Sequence, residues 1–357
     1  MKLGLIGLPL SGKTTIFSAL TGREGAPGTG AAGKLEVQLA VVDVPDPRVD
    51  ALVEIYEPRK TVYAQVTYAD IGGLDKGISA GGLPGAFRNE LNQMDGFLHV
   101  IRAFDDPSVP HPQDTVDPQR DLETLDSEFL LSDLVTVENR MARLNEEMSK
   151  GKDRAANQRE LAIFERLHAA LEAETPLRNL DLAEAEKQAL RGYGFLTLKP
   201  KLVLLNMGED LRDPAEVVQV SGEKTGVIAI QGKIEAEISQ LDDDEAAIFL
   251  EEYGIEEPTR ERLIRASYSL LDTLTFFTVG EDEVRAWRTH LGATAQEAAG
   301  EIHTDLQRGF IRAEIVPWDV LVELGSEAAA RQAGKLRLEG KNYLMNEGDV
   351  MTVRFAV

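Results

Sequence analysis

The chain has 357 residues, no cysteine and a formal charge of -23, with 43% of its residues hydrophobic and 28% charged. That length asks for two or three domains, and the missing cysteine excludes disulfides, thiolate metal sites and a cysteine nucleophile. The acidity excludes bulk binding to polyanions, so a nucleic-acid contact needs a local basic patch and no DNA specificity is expected.

Lys2 to Gly7 (KLGLIG) predicts a buried strand that runs straight into a glycine loop, which leaves no room for a signal peptide. No apolar stretch reaches membrane-spanning length, so a cytoplasmic protein with no membrane partner is expected. Further apolar runs at 63–70, 96–104, 201–206 and 226–231 suit strands buried on both faces. Helical stretches such as Lys13 to Leu20 between them make βαβ units and a mostly parallel sheet.

From Leu122 to about Arg191 there is no strand signal. Leu134, Val137, Met141, Leu144 and Met148 repeat with heptad spacing, the turn SKGKD follows at 149–153, and Leu161, Phe164, Leu167 and Leu171 form a second stripe. This predicts an antiparallel helical hairpin inserted in the α/β domain. After Asp272, short strands, the turns LEGKN and NEGDV and the helical run TAQEAAGEIHTDL predict a small separate α+β domain. The predicted division is 1–121 and 193–272 for a nucleotide-binding domain, 122–192 for the hairpin and 273–357 for the C-terminal domain.

The chemistry starts in the first loop. Gly7-Leu8-Pro9-Leu10-Ser11-Gly12-Lys13-Thr14-Thr15 follows a predicted strand and opens a predicted helix, the context of a phosphate loop. Its amides can turn around a β-phosphate, Lys13 can reach the β- and γ-phosphates, and the Thr14 hydroxyl can ligate magnesium. Asp70, at a strand end, is the second metal candidate, and the Gly73 amide can sense a γ-phosphate. Base selection falls to Asn206-Met207-Gly208-Glu209. Guanine readers place Asp where Glu209 stands, to accept from N1 and N2, and adenine lacks that donor pair. Met207 can offer a base only apolar cover.

These motifs resemble the Obg-like ATPase family of the YchF type, a branch of the P-loop GTPases. The likeness also rests on VPDPR (44–48), DIGGL (70–74), DLETLDSEFLLSDL (121–134), IEAEISQLDDDEAAIFL (234–250) and LGATAQEAAGEIHTDLQRGFIRAEI (291–315). It implies a G-domain with an inserted helical hairpin and a C-terminal TGS-like, β-grasp domain. It also implies Mg2+-dependent hydrolysis of ATP in preference to GTP, and association with the ribosome. His111 aligns with the family's histidine and becomes the candidate for orienting water, because Leu74 stands where Ras-like enzymes carry a glutamine.

Several positions depart from the family. Leu10-Ser11 replaces an Asn-Val pair whose Asn, the resemblance implies, helps hold a catalytic potassium ion. The switch threonine falls on Lys34, with Thr29 the nearest threonine, and Gln231-Gly232 replaces Ser-Ala in the last nucleotide loop. A divergent paralogue is expected. Arg331, Lys335, Arg337 and Lys341 form a candidate contact for ribosomal or transfer RNA, together with the helical domain. Two alternatives stand beside the ATPase reading: a GTPase of the same fold, and a weakly hydrolysing, nucleotide-gated binding module, for which Lys34 and Leu10 argue.

Overall fold

A computed structural model describes residues 1–22, 37–72, 83–241, 243–252 and 258–356, so Thr29, Lys34, Gly73 and Leu74 lie outside the described residues. The chain divides into two compact units, Met1–Val42 with Thr67–Leu263, and Asp43–Val66 with Ile264–Val357. In chain order the elements begin β1 (Lys2–Ile6), α1 (Lys13–Thr21), β2 (Val37–Asp43), α2 (Pro47–Tyr56), β3 (Thr61–Val62), β4 (Gln65–Ile71), α3 (Gly85–Asn92) and β5 (Gly96–Ala103). They continue through α4 (Pro118–Ser149), α5 (Arg154–Glu172), α6 (Glu184–Leu190), β6 (Lys201–Met207), α7 (Pro214–Val217), β7 (Thr225–Ile230), α8 (Gly232–Ile238), α9 (Asp243–Glu252) and α10 (Thr259–Ser269).

The first unit is built on a sheet of order β2-β4-β1-β5-β6-β7. From β4 to β7 every neighbouring pair is parallel. β5 and β6 are buried at every position, as strands covered on both faces must be, and this is why they read as unbroken apolar runs. β2 gave no such signal because it is the edge strand, with Leu39 and Val41 about half exposed. β1 lies between β4 and β5, so the loops leaving these strands emerge together at the carboxyl edge, where open α/β sheets take their ligands.

The hairpin is α4 and α5, turned by Gly151 (φ 76°) and Asp153 (φ 27°). Val137 packs with Phe164, Leu167 and Leu171, and that core continues through Leu177, Leu182, Leu190 and Phe195. Arg140 clasps Glu160 across the two helices through Nε (2.8 Å) and Nη2 (2.7 Å). At the root, buried Asp133 accepts from Leu196 N (2.9 Å), Thr197 N (2.8 Å) and Thr197 Oγ1 (2.7 Å). Phe129 of α4 meets Phe97 of β5 edge to face at 4.9 Å.

The second unit adds β8 (Thr273–Thr278), β9 (Val284–His290), α11 (Ala295–Ile302), α12 (Thr304–Arg308), β10 (Phe310–Pro317), α13 (Trp318–Leu324), α14 (Glu327–Gln332), β11 (Arg337–Glu339) and β12 (Asp349–Phe355). Its mixed sheet runs β11-β10-β12-β8-β9-β3, so residues 61–62 furnish an edge strand for it. Ala295, Ala298 and Ala299 lay α11 closely on Phe276, Phe310, Ile315 and Met351. The run expected as one helix from Thr294 breaks at His303, whose backbone is extended and whose Nδ1 accepts from Asp305 N (3.1 Å) to cap α12. Arg331 and Arg337 are already engaged, the first with Glu314 (3.2 Å), the second over the Tyr343 ring (5.2 Å). Lys335 and Lys341 are exposed.

Candidate nucleotide-binding site

The loop between β1 and α1 depends on its glycines for space. A Cβ on Gly7 would lie 2.6 Å from both Ser11 Oγ and the Val100 carbonyl, and one on Gly12 (φ 85°) would lie 2.1 Å from Asn206 Nδ2. Leu8 and Ser11 are buried, Pro9, Lys13, Thr14 and Thr15 are half-buried, and Leu10 is exposed with φ 62°. α1 starts with no side-chain cap at Gly12. Its first amides are therefore left for an anion, which the positive end of the helix favours.

Asp70 reaches this loop from the end of β4. Its Oδ2 accepts from Thr14 Oγ1 (3.0 Å), and Lys13 Nζ stands 3.8 Å from Oδ1. Asp70 is buried, yet Oδ1 has no hydrogen-bond partner. An orphaned carboxylate oxygen beside a hydroxyl is a donor set that fits a hard oxygen-seeking cation such as magnesium. Among the described residues no group of three or more His, Asp or Glu side chains could hold an ion unaided. Phosphate and water oxygens would complete the shell.

The end of β6 is tied to the loop after β1 by Asn206. This buried amide donates from Nδ2 to the Ser11 carbonyl (2.9 Å) and accepts on Oδ1 from Gly232 N (3.1 Å). Gln231 Nε2 donates to the Gly208 (3.0 Å) and Glu209 (2.7 Å) carbonyls, closing the loops after β6 and β7 on each other. Glu209 is exposed at the rim. Met207 differs from its expected role as apolar cover: it is 3% exposed inside the sheet core, and its Sδ accepts from Arg212 N (3.4 Å). The strand alternation that turns Asn206 to the loops turns Met207 the other way.

His111 is buried although its loop is polar and rich in proline. Its side chain is 2% exposed, Nε2 lies 2.9 Å from Asp121 Oδ2, and Gln113 N donates to Nδ1 (3.1 Å). Both ring nitrogens are thus engaged, Nδ1 by the loop between β5 and α4 and Nε2 by the first turn of α4. Arg102 holds the near end of that loop, donating to the Phe104 (3.1 Å) and Val109 (2.6 Å) carbonyls while its guanidinium stacks on Phe104 (4.4 Å). Sequence reasoning missed Arg102 and Asp121. A signal existed for Asp121: it shares a four-residue stripe with Leu125, Phe129, Asp133 and Val137, all buried, and a carboxylate on an apolar stripe asks for a partner.

A glycine loop, Lys13, Thr14 and Asp70 grouped at the carboxyl edge of a parallel sheet define a P-loop nucleoside triphosphatase. The family model YchF-GTPase_C, described as "Protein of unknown function (DUF933)", matches residues 273–356. "Ribosome-binding ATPase YchF" of Pasteurella multocida is 42% identical over all of this chain and 99% of its own length. The Bacillus subtilis protein of the same name is 41% identical over the whole of both chains. "Obg-like ATPase 1" of Oryza sativa subsp. japonica is 36% identical over all of this chain and 92% of its own. The solved "Structure of the Schizosaccharomyces pombe YchF GTPase" superposes with a TM-score of 0.83 at 32% identity, covering 99% of this chain and 97% of that one. The chain belongs to the YchF family.

Proposed function

We propose that this chain is a cytoplasmic, magnesium-dependent ATPase that cleaves ATP to ADP and phosphate and couples its nucleotide state to association with the ribosome. The observation that carries the chemistry is the grouping of Lys13, Thr14 and Asp70 beside an uncapped helix start. Lys13 and the amides from Gly7 to Thr15 hold the phosphates and meet the charge that develops on them. Thr14 and Asp70 hold magnesium, which when bound offsets charge on the β- and γ-phosphates. His111 orients the attacking water. Asn206, Gln231, Gly232 and Glu209 line the base side, and the Gly73 amide senses the γ-phosphate.

The names of the bacterial relatives support ATP and the ribosome as ligands. RNA phosphates are met through Lys335 and Lys341 of the TGS-like domain, residues 273–357, and through the hairpin, residues 122–192. Among the described residues no helix is long and apolar enough to cross a membrane. GTP is the second reading, favoured by the name of the fission-yeast structure. Turnover of ATP and GTP at matched concentration, with and without ribosomes, tests the assignment. ATP should be cleaved faster, and absence of ATP cleavage in either condition overturns it.

A further inference from the structure

Asp121 lies in the first turn of α4, outside every nucleotide motif, and is 2% exposed. Its two oxygens are divided between partners. Oδ1 accepts from Arg120 Nε (3.1 Å) and Nη2 (2.9 Å), and Oδ2 faces His111 Nε2 at 2.9 Å. On the other side of the ring, Gln113 N can only donate, so Nδ1 is the bare nitrogen. The ring proton therefore sits on Nε2 and is given to the carboxylate. Among the described residues Asp121 is the one charged group in ion-pair range of the ring.

For His111 to meet a water, one of its two bonds must open. A hydrogen bond to an ionised partner is about twice as strong as a neutral one, so the Asp121 side holds and the Gln113 side gives way. The backbone points to the same side. Asp114 is a non-glycine residue at φ 64°, in a turn closed by Asp114 N to His111 O (3.0 Å) and Thr115 N to Gln113 O (2.7 Å). Those two bonds close the turn without the one from Gln113 N to the ring, so that bond can open while the turn keeps its shape.

We infer that Asp121 is the positioning residue of the hydrolysis, fixing His111 in its Nε2-protonated form so that Nδ1 receives the attacking water in place of the Gln113 amide. This rests on the reading of His111 as the water-orienting residue. In the step, a lone pair of the water oxygen forms the bond to the γ-phosphorus. The bond from that phosphorus to the β–γ bridging oxygen breaks with its electrons remaining on ADP. The water proton goes to Nδ1 and from there to the phosphate product, while Asp121 balances the charge of the doubly protonated ring.

The test uses the full chain with magnesium and ATP. Asp121→Asn should lower kcat about tenfold and leave KM for ATP within about twofold, because the lost interaction belongs to the transition state. A nitrogen-15 spectrum of the parent ring should show a protonated Nε2 and a bare Nδ1, and Asp121→Asn should mix the two tautomers. Asp121→Glu should recover part of kcat and a single tautomer. His111→Ala combined with Asp121→Asn should be no slower than His111→Ala alone. A parent ring protonated on Nδ1 overturns the inference whatever the variants do, and so does an additive loss in the double variant. If His111→Ala loses turnover while Asp121→Asn keeps it, the inference fails alone. If His111→Ala keeps full turnover, the reading of His111 fails and takes the inference with it.

Discussion

Asn206 donates to the Ser11 carbonyl 2.9 Å away, joining the end of β6 to the loop after β1 across 195 residues of sequence. The same side chain accepts from Gly232 N, so it links three loops, two of which Gln231 also joins. Asn206→Asp preserves the acceptor for Gly232 but loses the donor for Ser11 and brings a negative charge toward the phosphates. ATP affinity should fall at least about tenfold, roughly 1.4 kcal/mol. Asn206→Ala strands both buried partners and should cost about 1–3 kcal/mol of stability. Calorimetry and denaturant unfolding separate the two effects, and parental affinity in both variants would remove Asn206 from the site.

Base preference should rest on the rim and not on Met207. ATP should bind several-fold tighter than GTP, and Glu209→Asp should improve GTP binding by about 1–3 kcal/mol if the carboxylate reaches the base. Met207→Lys, the change that would complete a guanine-type motif on paper, instead inserts an ammonium into the core where Met207 packs. It should destabilise the protein by about 3 kcal/mol or more with no gain in GTP affinity. Titrating both nucleotides into each variant decides this. Tighter GTP binding by Met207→Lys would mean that the side chain faces the base after all.

The strands of the first sheet were legible because β5, β6 and their neighbours are buried on both faces and so carry continuous apolar runs. The hairpin was legible for the same kind of reason, Leu134, Val137 and Met141 recurring on the side that meets Phe164, Leu167 and Leu171. β2 was not, since an edge strand can expose Leu39 and Val41 without any loss of pairing inside the sheet. Nor was β3, two residues whose strand character comes only from lying beside β9. In the candidate site, the turn from Gly7 to Thr14 could be read from spacing because such a loop is local, whereas its meeting with Asp70 depends on β4 pairing with β1. The Asp121–His111 pair depends on how a loop closes over the start of α4, and Met207 on which side of a strand end turns inward. Neither is encoded by spacing.

Acid should loosen the first unit through His99. This ring is 1% exposed, lies edge-on to Phe129 at 5.3 Å, and has no hydrogen-bond partner on either nitrogen. Asp126 Oδ1 stands 3.6 Å from Nδ1, near enough for an ion pair. Both Asp126 oxygens, however, bond Lys201 Nζ, at 2.7 and 2.6 Å. The ring is therefore neutral: burial holds its pKa well below 6.5, and Lys201 and Arg178 push the same way. The unfolded chain takes up a proton below about pH 6.5 that the folded chain refuses, so this contribution is complete above that pH and is lost as the pH falls below it. His99→Leu should remove up to about 1.4 kcal/mol per pH unit from the acid slope of stability. Denaturant unfolding at pH 5 and 7 gives the slope, and an unchanged one would mean that His99 titrates alike in both states.

Leu10 stands where the resemblance implies an asparagine. The resemblance implies a potassium ion that offsets charge developing between the phosphates, and such an ion needs an oxygen ligand from the phosphate loop. Leu10 offers only methyl groups, is 51% exposed, and holds a left-handed backbone at φ 62°. Leucine is poorly suited to that conformation, whereas asparagine adopts it readily by bonding its own backbone. Two effects should therefore follow from Leu10→Asn. Stability should rise by up to about 1 kcal/mol from relief of the backbone alone, and ATP turnover should become faster in potassium than in sodium. The parent chain should turn over equally in the two salts. A strong potassium-specific rise in the parent would point instead to Ser11, whose buried hydroxyl has no hydrogen-bond partner. Ser11→Ala would then abolish that rise while Leu10→Asn added nothing, and the conformational gain in stability from Leu10→Asn would remain as the separate mark of its backbone.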